Sequence, residues 1–379
     1  MANDTLEQNR RHPIPTQPTR GSGTLLDAIE GTLADFLAAQ IAALDAVDPA
    51  LGGLARTTRD LVLVGGKRLR PTFAYWGWRG VSAEPIEPVL PALAALELMH
   101  TFALVHDDVM DDSATRRGRP TAHRIFERQH GARFGKSAAI LVGDLCLVWA
   151  DQLIARAPLP AATLFGVRAR YDRMRVEAVA GQYLDILGES SADGWSVDRA
   201  LLVARLKTAS YTVQRPLQFG LALAGPSSPE TLDTAYERYG SLVGEAFQLR
   251  DDLLGVFGDP SVTGKPAGDD LRTGKPTALL LLARRLATPA QLALLKTVSL
   301  PDAAGLSGAA RLSGAAGLSD ADIGAVAEVI AETGAVARVE SMIRERVAEA
   351  VAALAAAPIA AEARAALIEL AVRATERPA

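Results

Sequence analysis

From Leu25 onward, apolar residues return every three or four positions, and no run alternates apolar with polar residues as a half-buried strand would. That periodicity confines the chain to an all-α fold. Candidate helices cover about 25–47, 67–80, 89–112, 135–157, 161–188, 197–224, 229–257, 275–286 and 289–298, with more after 321. Turn chemistry separates them at Gly65-Gly66, Arg116 to Pro120, Ala157 to Pro160, Ser190 to Gly194, Gly225 to Pro229 and Gly258 to Gly268. The residues are 49% hydrophobic but only 5% aromatic, so the apolar content is mainly Ala, Leu and Val. Those are helix and core residues, and 379 of them can bury a large core.

Two segments fall outside the pattern. Met1 to Gly23 is polar, carries three prolines and lacks the apolar stretch of a signal peptide, so a disordered N-terminal tail is expected over 1–23. Ala303 to Asp320 writes one hexapeptide three times, AAGLSG, AARLSG and AAGLSD. Solenoid units run to about 20 residues or more, so 303–320 reads as a low-complexity insertion. The rest, 24–379, is expected to form a single domain, with Ala321–Glu376 packed against the outside of the bundle. Elsewhere charges interrupt the apolar runs before the roughly 18 residues of a membrane span, which predicts no membrane span and a cytoplasmic protein. A net charge of −4 argues against nucleic acid, while leaving room for anionic substrates bound through local cations. Cys146, the only cysteine, permits no intramolecular disulfide and reads as a small buried hydrophobe.

The chemistry lies in the acidic motifs. Leu96–Arg119 reads LELMHTFALVHDDVMDDSATRRGR, with Asp107, Asp108 and Asp111 ending an apolar helix. Asp107 and Asp111 are four apart and share a face. Carboxylates at a helix C-terminus oppose the macrodipole, so a bound cation explains them better than a solvated helix end, and Mg²⁺ suits oxygen ligands. A second pair, Asp251 and Asp252, ends another apolar helix, and two such sites facing across a bundle describe a metal cluster. Only six lysines stand against 34 arginines, and Lys67, Lys207, Lys265 and Lys275 all lie beside turns or polar motifs. Lysines kept where arginine is the default suggest compact phosphate contacts. Arg70, Arg116 and Arg117 add bidentate donors.

The segments GGKRLRP, HDDVMDDSATRRGRPT, GD at 143–144, GQYLDI, LKTAS and FQLRDDLLGVFGDPSVTGKPAGDDLRTGKPT together resemble the trans-polyprenyl diphosphate synthase family, of the geranylgeranyl diphosphate synthase type. The resemblance implies an isoprenoid-synthase-type helical bundle around a deep apolar pocket, working as a homodimer. It implies Mg²⁺ ligands at Asp107, Asp111 and Asp251, three ions being bound with diphosphate. Lys67, Arg70, His100 and Arg117 fall where the family holds isopentenyl diphosphate. Arg116, Lys207, Thr208, Gln248, Lys265 and Lys275 fall where it holds the allylic diphosphate. His106 reads as structural. The implied reaction condenses isopentenyl diphosphate with an allylic diphosphate, catalysed by Asp107, Asp108, Asp111, Lys207, Asp251 and Asp252. One departure stands out: the second motif usually ends in a third aspartate, and that position is Gly255.

Product length depends on what blocks the pocket below the first motif. Phe102 and Ala103 lie five and four residues upstream of Asp107, and a helix turn rises about 5.4 Å, close to one isoprene unit. A phenyl ring there is expected to act as a floor, and in the family the chain resembles an aromatic residue at this position implies short products, geranylgeranyl diphosphate above all, with farnesyl or longer products as alternatives. A class I terpene cyclase would carry an Asn/Ser/Glu motif in place of the second aspartate pair. A non-catalytic partner subunit would have lost aspartates from the first motif.

Overall fold

An apolar stretch of sequence becomes the centre of the structure. In a computed structural model, which describes residues 22–190, 195–259, 268–298 and 319–376, helix α4 (Leu90–Met110) buries every residue from Ala92 to Met99. A helix apolar around its whole circumference has to be enclosed. It is enclosed by α1 (Ser22–Asp45), α2 (Pro49–Leu63), α3 (Leu69–Arg79), α6 (Ala132–Arg156), α7 (Ala161–Ser190) and α9 (Arg215–Leu223). Leu33, Leu37, Tyr171 and Phe219 are fully buried in that core.

A second core joins α8 (Val197–Ala204), α10 (Glu230–Phe257), α11 (Asp269–Thr273), α12 (Ala278–Leu286), α13 (Pro289–Leu295), α14 (Asp320–Glu332) and α15 (Ala335–Ala355). A third runs from α3 and α9 through α10 to α15 and α16 (Ala361–Thr375). The C-terminal helices each bury one stripe in these cores and leave the opposite face exposed. Leu354 and Leu367 are completely buried. Arg250 grips Glu340 with two bonds of 2.6 and 2.9 Å and donates to the Thr375 carbonyl at 2.7 Å.

Other expectations shift by a few residues. Helix α1 already starts at Ser22, inside the expected tail, whose residues 1–21 lie outside the described residues. Of the hexapeptide insertion, 303–318 lies outside them too, while Ser319 and Asp320 belong to α14 through a capping box with Asp322. Helix α2 escaped the sequence reading because Gly52, Gly53, Thr57 and Thr58 mask its period. The Asp48 carboxylate starts it by accepting from the Ala50 N–H at 2.7 Å, with Pro49 at the first position. Helix α5 (Ala122–His130) is short and polar, and is held by burying Ala122, His123 and Phe126.

Residues 197–224, expected as one helix, contain a π-helix at Arg205–Gln214 between α8 and α9. Such wide turns often mark functional sites. Glycines let its neighbours press on it: a Cβ on Gly181 of α7 would lie 2.7 Å from the Lys207 Cα. A small hairpin pairs Thr115–Arg116 with Arg119–Pro120, and Arg117 and Gly118 turn it with φ of 54° and 71°. Finally, α6 is long and apolar enough to cross a membrane by length and composition alone, although Asp144 and Asp151 interrupt its apolar run. Half of its most apolar window is buried inside the bundle, largely against α4.

Candidate active site

The first motif occupies the last turn of α4, where the chain's own dipole opposes carboxylates, and cations from three other elements compensate. Asp107 Oδ1 accepts from Lys207 Nζ at 3.0 Å and from Gln182 Nε2 at 3.1 Å. Its Oδ2 accepts from Arg116 at 3.1 Å, and the same guanidinium donates to Asp108 at 2.8 Å. The hairpin is what turns Arg116 back over the motif. Burial alone would raise the Asp107 pKa, but Lys207, Lys275 and Arg116 outweigh it and hold the carboxyl at about 2. At Asp108 burial outweighs Arg116 and the pKa rises to about 6. Asp111 is pushed up by burial and by the neighbouring Asp107.

Two residues that the sequence reading did not single out complete this basin. Asp185 of α7, only 7% exposed, accepts from Lys207 at 2.6 Å and Lys275 at 3.0 Å. Gln182, one turn earlier, reaches Asp107. Their signal was the GQYLDI segment, in which a buried aspartate sits one turn beyond the glycine that admits the π-helix. Burial works against the charge on Lys275, yet Asp185, Asp270, Asp107 and Asp111 raise its pKa well above normal. Carboxylates from α4, α7 and the segment after α10 thus converge on one ammonium.

The aspartates of the second pair differ. Asp252 is buried, accepts from Gln248 at 2.9 Å and from the Ala278 N–H at 3.2 Å, and so ties α10 to the start of α12. Burial pushes its pKa up to about 7. Asp251 is partly exposed, as is Thr208 on the π-helix. Lys265 lies outside the described residues.

A second cluster gathers beside the basin. Arg70, 8% exposed, donates to Thr212 at 2.8 Å and stacks 4.0 Å from the Tyr211 ring centre. His100 Nδ1 lies 3.5 Å from the Tyr211 hydroxyl. Burial, then Arg70 and Arg117, push the His100 pKa well down and keep the ring neutral. Arg117 donates to the Gly65 carbonyl, bringing the hairpin to the loop that carries exposed Lys67. A cavity of about 250 Å³ opens here, lined by His100, Thr101, Leu104, Arg116, Arg117 and Ile125 among others. Phe102 is partly buried against the main core and meets His106 edge-on at 4.8 Å; Ala103 beside it is partly exposed. His106 Nε2 in turn lies 2.9 Å from the Ile140 carbonyl oxygen of α6.

Among the described residues no three acidic, histidine or cysteine side chains stand ready to hold a metal ion. Mg²⁺ does not require that, because one or two carboxylates and substrate phosphates commonly complete its shell. Asp107 and Asp111 supply hard oxygen donors, and burial first, then the neighbouring Asp107, raise the Asp111 pKa, a cost to its charge that a cation would offset. The residues fit the ion.

The polyprenyl synthetase family model matches residues 53–305, more than half the chain. The chain belongs to the polyprenyl synthetase family. It is, accordingly, a prenyltransferase with the isoprenoid-synthase fold. Among relatives of this polyprenyl synthetase, the geranylfarnesyl diphosphate synthase of Aeropyrum pernix is 36% identical over 238 residues, covering 61% of this chain and 70% of that one. The geranylgeranyl diphosphate synthase of Mycobacterium tuberculosis is 33% identical, covering 63% and 64%. A crystal structure of the Corynebacterium glutamicum geranylgeranyl pyrophosphate synthase, complexed with isoprenyl diphosphate and magnesium, superposes with a TM-score of 0.85 at 39% identity. It covers 94% of this chain and 99% of that one.

Proposed function

We propose that this polyprenyl synthetase condenses isopentenyl diphosphate with allylic diphosphates to make a short-chain all-trans prenyl diphosphate, geranylgeranyl diphosphate above all. The observation that carries this reading is Lys207, whose ammonium joins Asp107 of the first motif to Asp185. A basin built of paired anions and cations suits a metal–diphosphate group, which brings both charges. Asp107, Asp111 and Asp251 would hold Mg²⁺, three ions with diphosphate bound, and the metal would supply positive charge at the leaving oxygens. Lys207, Lys275 and Arg116 would donate to the same diphosphate as its bond to the allylic carbon breaks and the electron pair departs with it. Thr208 and Gln248 border that group, as does Lys265 in the family's pattern. Lys67, Arg70, Arg117 and neutral His100 hold isopentenyl diphosphate, whose double bond attacks the allylic carbocation before a proton is lost. A water-free pocket protects the cation.

Incubation with Mg²⁺, isopentenyl diphosphate and separate C5, C10 and C15 allylic primers tests the proposal through the length of the product. No condensation with any primer would sink it. With Phe102 as the floor, Phe102→Ala is expected to lengthen the main product by about one isoprene unit, the rise of one helix turn. An unchanged product length places the floor elsewhere.

The working unit is read as a homodimer. Helix α7 exposes Val176, Val179 and Tyr183 at heptad-like spacing, and α6 exposes Ile140, Leu141 and Val148. Exposed apolar stripes of this kind mark protein interfaces, and a partner here explains why α6 is apolar on both faces. Sedimentation at twice the chain mass is the expected result, with Val179→Glu shifting it toward the monomer.

A further inference from the structure

The π-helix that carries Lys207 is a rare geometry, so its neighbours have to impose it. A slip of one residue along such a segment rotates its side chains by roughly 100° around the axis. At Lys207 that rotation would carry the ammonium away from Asp107, now at 3.0 Å, and from Asp185, now at 2.6 Å. Glycines bring the segment close without fixing its rotation. A Cβ on Gly244 of α10 would stand 2.3 Å from the Ala209 Cα, and one on Gly240 would stand 2.3 Å from the Gln214 Cα.

Rotation is set by directed bonds. Arg70 donates one to Thr212, and others converge on Glu177 of α7. The Glu177 carboxylate accepts from the Ser210 hydroxyl, inside the segment. It also accepts from Arg215, the residue that closes the segment, at 2.6 and 2.8 Å. Ser210 and Arg215 are each 3% exposed, so water does not stand in for these bonds. Burial works against the charge on Glu177, yet Arg215 and Ser210 outweigh it and lower its pKa. The other end is held more loosely, where half-exposed Arg205 meets Glu245 at 3.2 Å. Glu177, Gly181 and Asp185 follow one another at four-residue steps on one face of α7. That stripe clasps the segment, admits its backbone at Lys207 and receives the Lys207 ammonium.

We propose that Glu177 is a positioning residue for the condensation: its bonds to Ser210 and Arg215 lock the rotation of the π-helix, so that Lys207 is presented to the allylic diphosphate. This role rests on the reading of Lys207 as a donor to that group. Glu177 acts at one remove, since its partners Arg173, Ser210 and Arg215 hold neither substrate in that reading. The effect is one-sided. Lys207 and Thr208 belong to the segment and serve the allylic diphosphate. The residues assigned to isopentenyl diphosphate lie on α3, on α4, in the hairpin and in the loop before α3. Of these, Arg70 and His100 touch the segment, through Thr212 and Tyr211.

The test is steady-state kinetics at saturating Mg²⁺, with isopentenyl diphosphate and the most active allylic primer each varied, alongside thermal melts. The proteins are wild type, Glu177→Gln and Ser210→Ala. Glu177→Gln keeps the shape and an acceptor but loses the charge that Arg215 grips. It is expected to raise KM for the allylic primer about tenfold and to lower kcat about tenfold or more, with KM for isopentenyl diphosphate within about threefold of wild type. Ser210→Ala leaves the pair of Glu177 and Arg215 intact and should show the same split, at about threefold on the allylic KM. A carboxylate that served stability alone would lower the unfolding temperature and move both KM values together, or neither. Either pattern in a folded variant overturns the proposal. If Glu177→Gln does not fold, Ser210→Ala decides, since it keeps the buried charges paired. Wild-type protein that condenses no primer would instead overturn the functional reading of the basin, and the role of Glu177 with it.

Discussion

Asp107→Asn is expected to lower kcat by about a thousandfold while leaving the unfolding temperature close to that of wild type. The factor corresponds to about 4 kcal/mol of transition-state stabilisation, the scale on which a metal ion acts at a departing charged group. Asp107 is the carboxylate that groups from the π-helix, α7 and the hairpin all address. With its pKa near 2 it is fully ionised throughout the neutral range, and an amide removes that charge. The fold tolerates the change because each cation has a second partner: Lys207 keeps Asp185 at 2.6 Å and Arg116 keeps Asp108 at 2.8 Å. Steady-state kinetics at saturating Mg²⁺, paired with a thermal melt, check both halves. A kcat within tenfold of wild type would remove Asp107 from the metal site.

Glu97→Ala should act in the opposite way, on stability first, by about 3–5 kcal/mol in chemical denaturation. Glu97 and Arg68 have side chains only 4% and 3% exposed and meet at 2.6 Å. Arg68 also donates to the Val62 carbonyl at 3.1 Å, while Glu97 Oε1 finds no partner in the structure. Such a pair adds little over an apolar replacement of both partners, yet removing Glu97 leaves the buried guanidinium only half-exposed Glu30, at 3.4 Å, as a counter-charge. Arg68 sits in the left-handed region with φ 46° at the start of α3, between Lys67 and Arg70. Loosening it should also raise KM for isopentenyl diphosphate. Glu97→Gln, which keeps an acceptor, should cost less. A loss below about 1 kcal/mol for the alanine variant would show that Arg68 has found water or another anion.

The bundle was legible in the sequence wherever one face of a helix was consistently apolar, as in α4 and α10. Helix α2 was hidden because two glycines and two threonines lower its propensity, and its stability comes from a cap and from packing. The break at Arg205 was invisible because a π-helix uses the same residues as an α-helix and differs only in what presses on it. The first motif and its lysines could be named from residue type. Their wiring could not be, since Lys207 lies 100 residues from Asp107 and 22 from Asp185. Gly255 showed as a deletion from a pattern. Only the fold shows that the Asp270 carboxylate, fifteen positions further on, lies beside Gly255.

The grip of Arg250 on Glu340 and Thr375 has a consequence for the order in which the enzyme comes into being. During synthesis Asp107, Lys207 and Asp251 all leave the ribosome while residues 340 and 375 are still unmade. A nascent chain at that stage displays both acidic motifs but lacks the helices that brace α10 from behind, so the wall carrying Asp251 has no fixed position. The contacts around Asp107 join residues up to Lys275, so it is the second motif whose support arrives with the last two helices. An interrupted translation product carries the full signature of the catalyst without the brace behind Asp251.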